Sequence, residues 1–206
     1  MEKVIKLFNM SKTSKMPCHS FSLPAQKCKT GQKLAKIKGS VCSGCYALKG
    51  MYSFPKVKAP RNNNLTGVET IGRDEWVETL TNLIKTKEKS GFFRWHDSGD
   101  IQSGEHLDAI VRIANNLPHI KFWLPTKEKA MIQRYKGIIP ANLIIRLSSA
   151  MINQEPSKAW RFTSTVHTKG ETIHGQGCNA YLNDGECGSC RACWDESVTN
   201  VSYPKH

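Results

Sequence analysis

Long apolar runs are missing from this 206-residue chain. None approaches the roughly 18 residues needed to span a bilayer, and the N-terminus has no signal-peptide core. A membrane-spanning helix is therefore not expected, and the reading is a cytoplasmic protein whose thiols stay reduced. Low-complexity tracts and internal repeats are absent too. Acidic residues are scarce: 17 Asp and Glu stand against 30 Lys and Arg, a net charge of +13. No cysteine occurs in the 132 residues from 46 to 177. The eight cysteines elsewhere make up about 4% of the chain, well short of a small disulfide scaffold. Metal binding is the reading left for them.

The cysteines fall into two groups of four. Cys42 and Cys45, in Val41-Cys42-Ser43-Gly44-Cys45-Tyr46-Ala47, are two residues apart and can share one metal ion or iron–sulfur cluster. Cys18 and Cys28 lie upstream, giving Cys-x9-Cys-x13-Cys-x2-Cys, and His19 is an alternative ligand. The second group, Cys178, Cys187, Cys190 and Cys193, has the spacing Cys-x8-Cys-x2-Cys-x2-Cys. Three cysteines at x2 intervals resemble the cluster loop of ferredoxins, whereas structural zinc favours two separated pairs. Two [4Fe–4S] clusters are expected, with zinc as the alternative metal. If all of the first four cysteines ligate, that site is closed. If Cys28, Cys42 and Cys45 alone ligate, one iron is open to a substrate or S-adenosylmethionine.

Residues 3–8 read as a short strand. From Ser11 to Pro60 repeated Pro and Gly break any helical period, and a loop this long needs something to order it. Metal ligation would do so, with Gly44 supplying a positive φ. Beyond Gly72 the pattern turns regular. A helix is predicted over 74–88, a strand at 92–96, and a helix capped by Ser103 and ending at Pro118. Strands at 120–124 and 143–147 bracket a short helix capped by Thr126, and a weaker strand lies at 160–166. Alternating β and α units argue for a parallel sheet. Four to six strands are too few for a closed eight-strand barrel, so an open or partial (βα) barrel in a single domain is expected. The cysteine-containing loop would cover 1–60, the βα core 72–168 and the C-terminal cysteine segment 175–206.

Each predicted strand ends in polar residues, and ligands bind at such ends in parallel α/β sheets. His96, Asp97, Ser98 and Asp100 follow the first strand, Thr126 and Lys127 the second, and Arg146, Ser148 and Ser149 the third. Asp97 and Asp100 flank Gly99 and suit an ammonium or a ribose hydroxyl, or else form turn hydrogen bonds. Arg146 suits a carboxylate or a surface ion pair.

Several blocks carry a resemblance across the whole chain. Pro17-Cys18-His19-Ser20-Phe21-Ser22-Leu23-Pro24-Ala25, Arg94-Trp95-His96-Asp97-Ser98-Gly99-Asp100, Phe122-Trp123-Leu124-Pro125-Thr126-Lys127 and Cys187-Gly188-Ser189-Cys190-Arg191-Ala192-Cys193-Trp194, together with the Cys42–Cys45 block, resemble the phage gene-product-88 domain family. The layout is also similar to radical S-adenosylmethionine enzymes, with x13 in place of the usual x3 between the first two cysteines. That likeness implies a catalytic cluster on Cys28, Cys42 and Cys45, with Cys18 as substitute or fourth ligand. It implies an amine-binding segment at Asp97-Ser98-Gly99-Asp100, joined by Arg146 and Ser148 in the cofactor site. An auxiliary cluster would sit on Cys178, Cys187, Cys190 and Cys193.

The leading expectation is an iron–sulfur enzyme that generates a 5′-deoxyadenosyl radical. It would need an electron donor, and the basic surface points to a nucleic-acid or nucleotide substrate. The alternative is a non-catalytic phage protein that binds nucleic acid or protein and is stabilised by closed four-cysteine sites holding zinc or iron–sulfur clusters. In either case the expected location is the cytoplasm, that of the host cell if the protein is phage-encoded, with no membrane partner.

Overall fold

Phe93 and Trp95, Phe122 and Leu124, then Leu143, Ile145 and Leu147 alternate with other residues along three segments, as strands with one face in a core must. The computed structural model describes residues 8–205. It contains strands β1 (Met10–Lys12), β2 (His19–Phe21), β3 (Phe92–Trp95), β4 (Lys121–Thr126), β5 (Leu143–Ser148), β6 (Thr163–His167), β7 (Gln176–Gly177) and β8 (Asn200–Pro204). They form one eight-stranded sheet in the order β1-β2-β3-β4-β5-β6-β8-β7. β1 runs antiparallel to β2; every other pairing is parallel.

The sheet therefore reaches past the predicted 72–168 core on both sides. β2 comes from the N-terminal region, and β7 and β8 from the C-terminal one. His-Ser-Phe and Gln-Gly are too short to carry a periodic signal, and pairing with neighbouring strands makes them strands. Within the described residues β1 and β7 are edges, and no pairing closes the sheet into a barrel. The strand predicted at 3–8 lies outside the described residues except for Phe8, which is buried against Phe21 and Trp76.

The helices are α1 (Lys29–Leu34), α2 (Pro55–Thr70), α3 (Arg73–Lys87), α4 (Gly104–Asn116) and α5 (Lys129–Arg134). α3, α4 and α5 stand where the periodicity placed them. Ser103 caps α4 by accepting the His106 N–H at 3.1 Å. Thr126 Oγ1 accepts the Glu128 N–H just ahead of α5, at 3.0 Å. Sixteen-residue α2 was not anticipated. It begins at Pro55, where a missing N–H costs nothing, and runs on through Pro60. Its buried positions are Asn64, Leu65 and Gly67, so it docks through polar bonds more than an apolar stripe. The Asn64 carboxamide donates to Asn9 O and Ser22 O, both at 2.9 Å, and accepts from Asn9 N–H at 2.7 Å.

The two sheet faces differ. Phe93, Trp95, Phe122, Leu124 and Ile145 pack with α3 and α4 in one large core. Phe92, Arg94, Trp123 and Arg146 alternate with them and so face the other way. There a small second cluster gathers Cys18, Trp123 and Trp194, with Met16, Phe92, Cys193 and Tyr203 against it.

Two histidines lie in or beside the large core. His96 and His106 are 3% and 4% exposed, with ring centroids 5.4 Å apart. Neither ring nitrogen of His96 has a protein partner, nor does His106 Nε2. Burial holds His96 well below the usual imidazole range and pushes His106 down to about 3. An imidazole kept neutral only when folded stabilises the protein above its unfolded pKa and withdraws that support as pH falls. Between pH 7 and pH 5 each histidine should cost about 2 kcal/mol. Asp100, pushed up to about 6 by burial, works in the opposite direction and returns about 1 kcal/mol over the same interval. Urea unfolding is expected to show a net loss of about 3 kcal/mol from pH 7 to pH 5. H106Q should flatten that slope, and an unchanged slope in the variant would refute the assignment.

Candidate functional site

Parallel pairing puts the carboxyl ends of β2, β3, β4 and β5 along one mouth, and a web of hydrogen bonds ties the following loops together. Leu23 N–H donates to Ser98 O at 2.9 Å, and Ser98 Oγ donates back to Leu23 O at 2.8 Å. Gly99 permits this approach: its φ is +86°, and a Cβ there would stand 2.5 Å from Leu23 Cβ. Asp100 accepts from Ile101 N–H at 2.8 Å, Thr126 Oγ1 at 2.6 Å and Lys127 N–H at 2.9 Å. Lys127 Nζ donates to Ser149 O at 2.6 Å. Glu128 receives both Thr30 N–H (2.7 Å) and Thr30 Oγ1 (2.8 Å), which docks the start of α1. Val41 N–H donates to Ala150 O at 2.9 Å, fastening the Cys42 turn beside β5. The 11–60 region is thus tied to the strand-end loops at Leu23, Thr30 and Val41.

Cys28, Cys42 and Cys45 meet at this mouth. Cys28 precedes α1; Cys42 lies in a 3-10 turn (Val41–Gly44) capped by Ser40 Oγ, and Cys45 ends it. Gly31 of α1 is the close-approach glycine. A Cβ there would sit 2.8 Å from Cys28 Cβ and 3.7 Å from both the Cys28 and Cys42 sulfurs. Gly44, expected to supply a positive φ, does not have one, and a Cβ on it would meet nothing within 4 Å. Burial pushes the Cys28 thiol up, and Asp100, Cys45, Cys42 and Glu128 add to the effect. Burial also raises Cys42, against the pull of Lys127. Lys127 is lowered by burial but supported by the three cysteines and Asp100. Lys127 therefore faces the three thiols and the Asp100 carboxylate.

The structure distributes the remaining candidates as follows. Asp97 is held by Tyr52, whose hydroxyl donates to Oδ2 at 2.6 Å, and by Arg94 (3.3 Å) and Arg61 (3.8 Å). Asp97 and Asp100 are thus already engaged by protein donors. Ser148 Oγ lies 3.1 Å from Ser164 Oγ. Arg146 is away from the rim and 0% exposed. Its guanidinium donates to Ala192 O (2.7 Å), Cys193 O (3.0 Å), Asp195 O (3.1 Å), Thr163 O and Thr199 O (both 3.4 Å). It holds the C-terminal segment onto the sheet. Cys18 and Cys28 lie at opposite ends of β2, the first preceding the strand and the second following it. His19 Nδ1 pairs with Glu88 at 2.9 Å.

Sequence reasoning missed Gly31, Tyr46, Tyr52, Arg61, Arg94 and Glu128. One compositional signal was available: no Asp or Glu occurs from residue 3 to residue 68. Lys27, Lys29, Lys33, Lys36, Lys38, Lys49, Lys56 and Lys58 are all exposed around the cysteine mouth. Tyr46, Met51 and Phe54 are exposed among them, at 50%, 72% and 58%. A cavity of about 630 Å³ lies elsewhere, at the amino ends of β5 and β6 beside Pro140, Trp160 and Phe162.

No three His, Cys, Asp or Glu side chains among the described residues stand close enough to hold one metal ion. A single zinc with bonds of about 2.3 Å would need thiolates about 3.8 Å apart. A polynuclear cluster gives each thiolate its own iron and a wider spread. Cys28, Cys42 and Cys45 are a donor set of the kind such a cluster takes, and a Cβ on Gly31 would stand 3.7 Å from two of their sulfurs.

Fold and site together define a mostly parallel α/β protein with three thiols, Lys127 and Asp100 at its strand ends, beside a lysine-rich segment that carries no Asp or Glu from residue 3 to residue 68. The chain belongs to the phage gene product 88 family, whose profile matches residues 2–196. No curated protein and no solved structure is significantly similar to it. No helix among the described residues is long and apolar enough to cross a membrane.

Proposed function

We propose that the protein is an iron–sulfur enzyme of the radical S-adenosylmethionine type acting on nucleic acid or a nucleotide. One observation carries this reading: Cys28, Cys42 and Cys45 converge at the carboxyl ends of parallel strands, while Cys18 lies at the opposite end of β2. Three thiolates on a four-iron cluster leave one iron open, as the reaction requires. The parallel strands β2 to β6 neighbour one another in chain order, an order that a partial (βα) barrel would also have, which supports this reading. A cluster held by Cys28, Cys42 and Cys45 and reduced by an electron donor would supply the one-electron reduction that splits S-adenosylmethionine into methionine and a 5′-deoxyadenosyl radical.

The chain's own residues bind, orient and shield. Cys28, Cys42 and Cys45 hold the cluster. Lys127, with one donor committed to Ser149 O, keeps others for a carboxylate at the mouth, the role expected of Arg146. Asp97 and Asp100 position the rim through Arg94, Tyr52, Thr126 and the Lys127 backbone. The exposed lysines suit phosphates, and Tyr46 and Phe54 offer faces on which bases stack.

The test is to purify the protein without oxygen and count iron, sulfide and zinc. A brown protein is expected, whose reduced-state electron paramagnetic resonance signal changes on adding S-adenosylmethionine and is lost in C28A. A colourless zinc protein, or a signal indifferent to the cofactor, would sink the reading. Replacing Lys33, Lys36 and Lys38 together by glutamate should weaken single-stranded DNA binding at least tenfold and flatten its salt dependence by up to about three charges. Unchanged binding would remove the nucleic-acid assignment.

A further inference from the structure

The cysteines do not divide four and four. We propose that Cys18 belongs to the C-terminal group, and that Cys18, Cys178, Cys187, Cys190 and Cys193 line one thiophilic metal centre joining the first parallel strand to the last.

The placement follows from strand direction. Cys18 stands immediately before β2, at the amino end of the sheet, and Cys28 lies beyond its carboxyl end. Cys18 is 1% exposed and shares a small cluster with Trp123 and Trp194, onto which Cys193 and Tyr203 pack. Cys187 N–H donates to Lys15 O at 3.0 Å, stitching the C-terminal segment to the turn that leads into Cys18. Gly185 makes the same approach: its φ is +81°, and a Cβ there would stand 2.5 Å from Lys15 Nζ. Cys178 N–H donates to Ser202 O at 2.8 Å, and Cys193 Sγ is 3.1 Å from the Tyr203 hydroxyl, which fixes both cysteines along β8. Cys190 N–H donates to Cys187 O at 3.0 Å.

Charge points the same way. Arg94 lies over the Trp123 ring at 4.6 Å and Arg191 over Phe92 at 5.1 Å, so two guanidinium groups border the thiols and can balance a thiolate-rich, anionic centre. Metal binding would release the thiol protons to solvent and join residue 18 to residues 178–193 through the metal. The assignment does not depend on the chemistry proposed for the mouth.

The experiment uses the full-length chain with C28A, C42A and C45A combined, so that only the second centre can load. This protein should keep one metal centre, with iron and sulfide in equal amounts marking a cluster, whose thiolates need not converge on one metal ion. Adding C18A should lower that metal content at least threefold, with the far-ultraviolet circular dichroism retained. Because C18A alters a buried position, proximity is also read in the wild type. After the metal is stripped by a chelator, diamide oxidation should give a peptide-mapped disulfide from Cys18 to Cys187 or Cys193. Unchanged metal content with C18A, or a Cys18 disulfide to Cys28, Cys42 or Cys45, would overturn the assignment.

Discussion

G31A is expected to empty the cysteine mouth while leaving the fold intact. Alanine at an ordinary helical position stabilises by about 0.5–1 kcal/mol relative to glycine. At Gly31 it meets Cys28 Cβ at 2.8 Å, and that atom is one bond from the backbone and has no free rotor to turn away. Either α1 lifts, breaking the Thr30–Glu128 clasp, or Cys28 shifts away from Cys42 and Cys45. A cluster held by only three thiolates tolerates neither. Iron should fall by about four atoms per chain, the content of one cluster, and the spectroscopic response to S-adenosylmethionine should vanish. The second centre, at the other end of the sheet, should stay loaded. Full iron with an unchanged response in G31A would mean that the mouth is not where the cluster sits.

R146L should give the largest loss of stability. Five backbone carbonyls receive the Arg146 guanidinium inside the protein, four of them in the 192–199 segment. Leucine fills much of the volume but leaves those acceptors unpaired, at a cost of about 3–5 kcal/mol. For a chain of this size that is about 10 °C in Tm. Burial weakens the hold of Arg146 on its proton, and Tyr203, Cys193 and Asp195 oppose that effect, so it remains charged as a pin. Metal at the C-terminal cysteines should be lost together with the stability, because Cys193 itself is one of the residues pinned. A Tm within about 2 °C of wild type would show that the segment stays docked without it.

Asn64, unlike Arg146, marks a place where the sequence was read wrongly for a physical reason. α2 carries Pro60, three consecutive asparagines and Gly67, and its buried stripe is too weak to show a period. What makes it a helix is docking: Asn64 bonds to residues 9 and 22, and Gly67 lets Phe8 approach, since a Cβ there would lie 2.5 Å from its ring. Such pairings over 40 or more residues have no local signature. α3, α4, β4 and β5 were legible because each buries an apolar face that repeats at its own period. The tripeptide of β2 and the dipeptide of β7 were not, since their neighbours supply their hydrogen bonds.

The cysteines divide in the same way. Their number, their separation by 132 residues without one and the closeness of Cys42 to Cys45 follow from the sequence alone. So does a polar rim after each strand. Tertiary structure alone decided which thiols share a site. A parallel strand has two ends, and β2 carries Cys18 to one and Cys28 to the other, although only nine residues separate them. It also decided that Arg146 faces backbone carbonyls inside the protein, because its direction is set by alternation along β5 and by what the C-terminal segment lays across that face. Spacing along a chain measures how far two side chains can reach; strand direction and sheet order determine whether they meet.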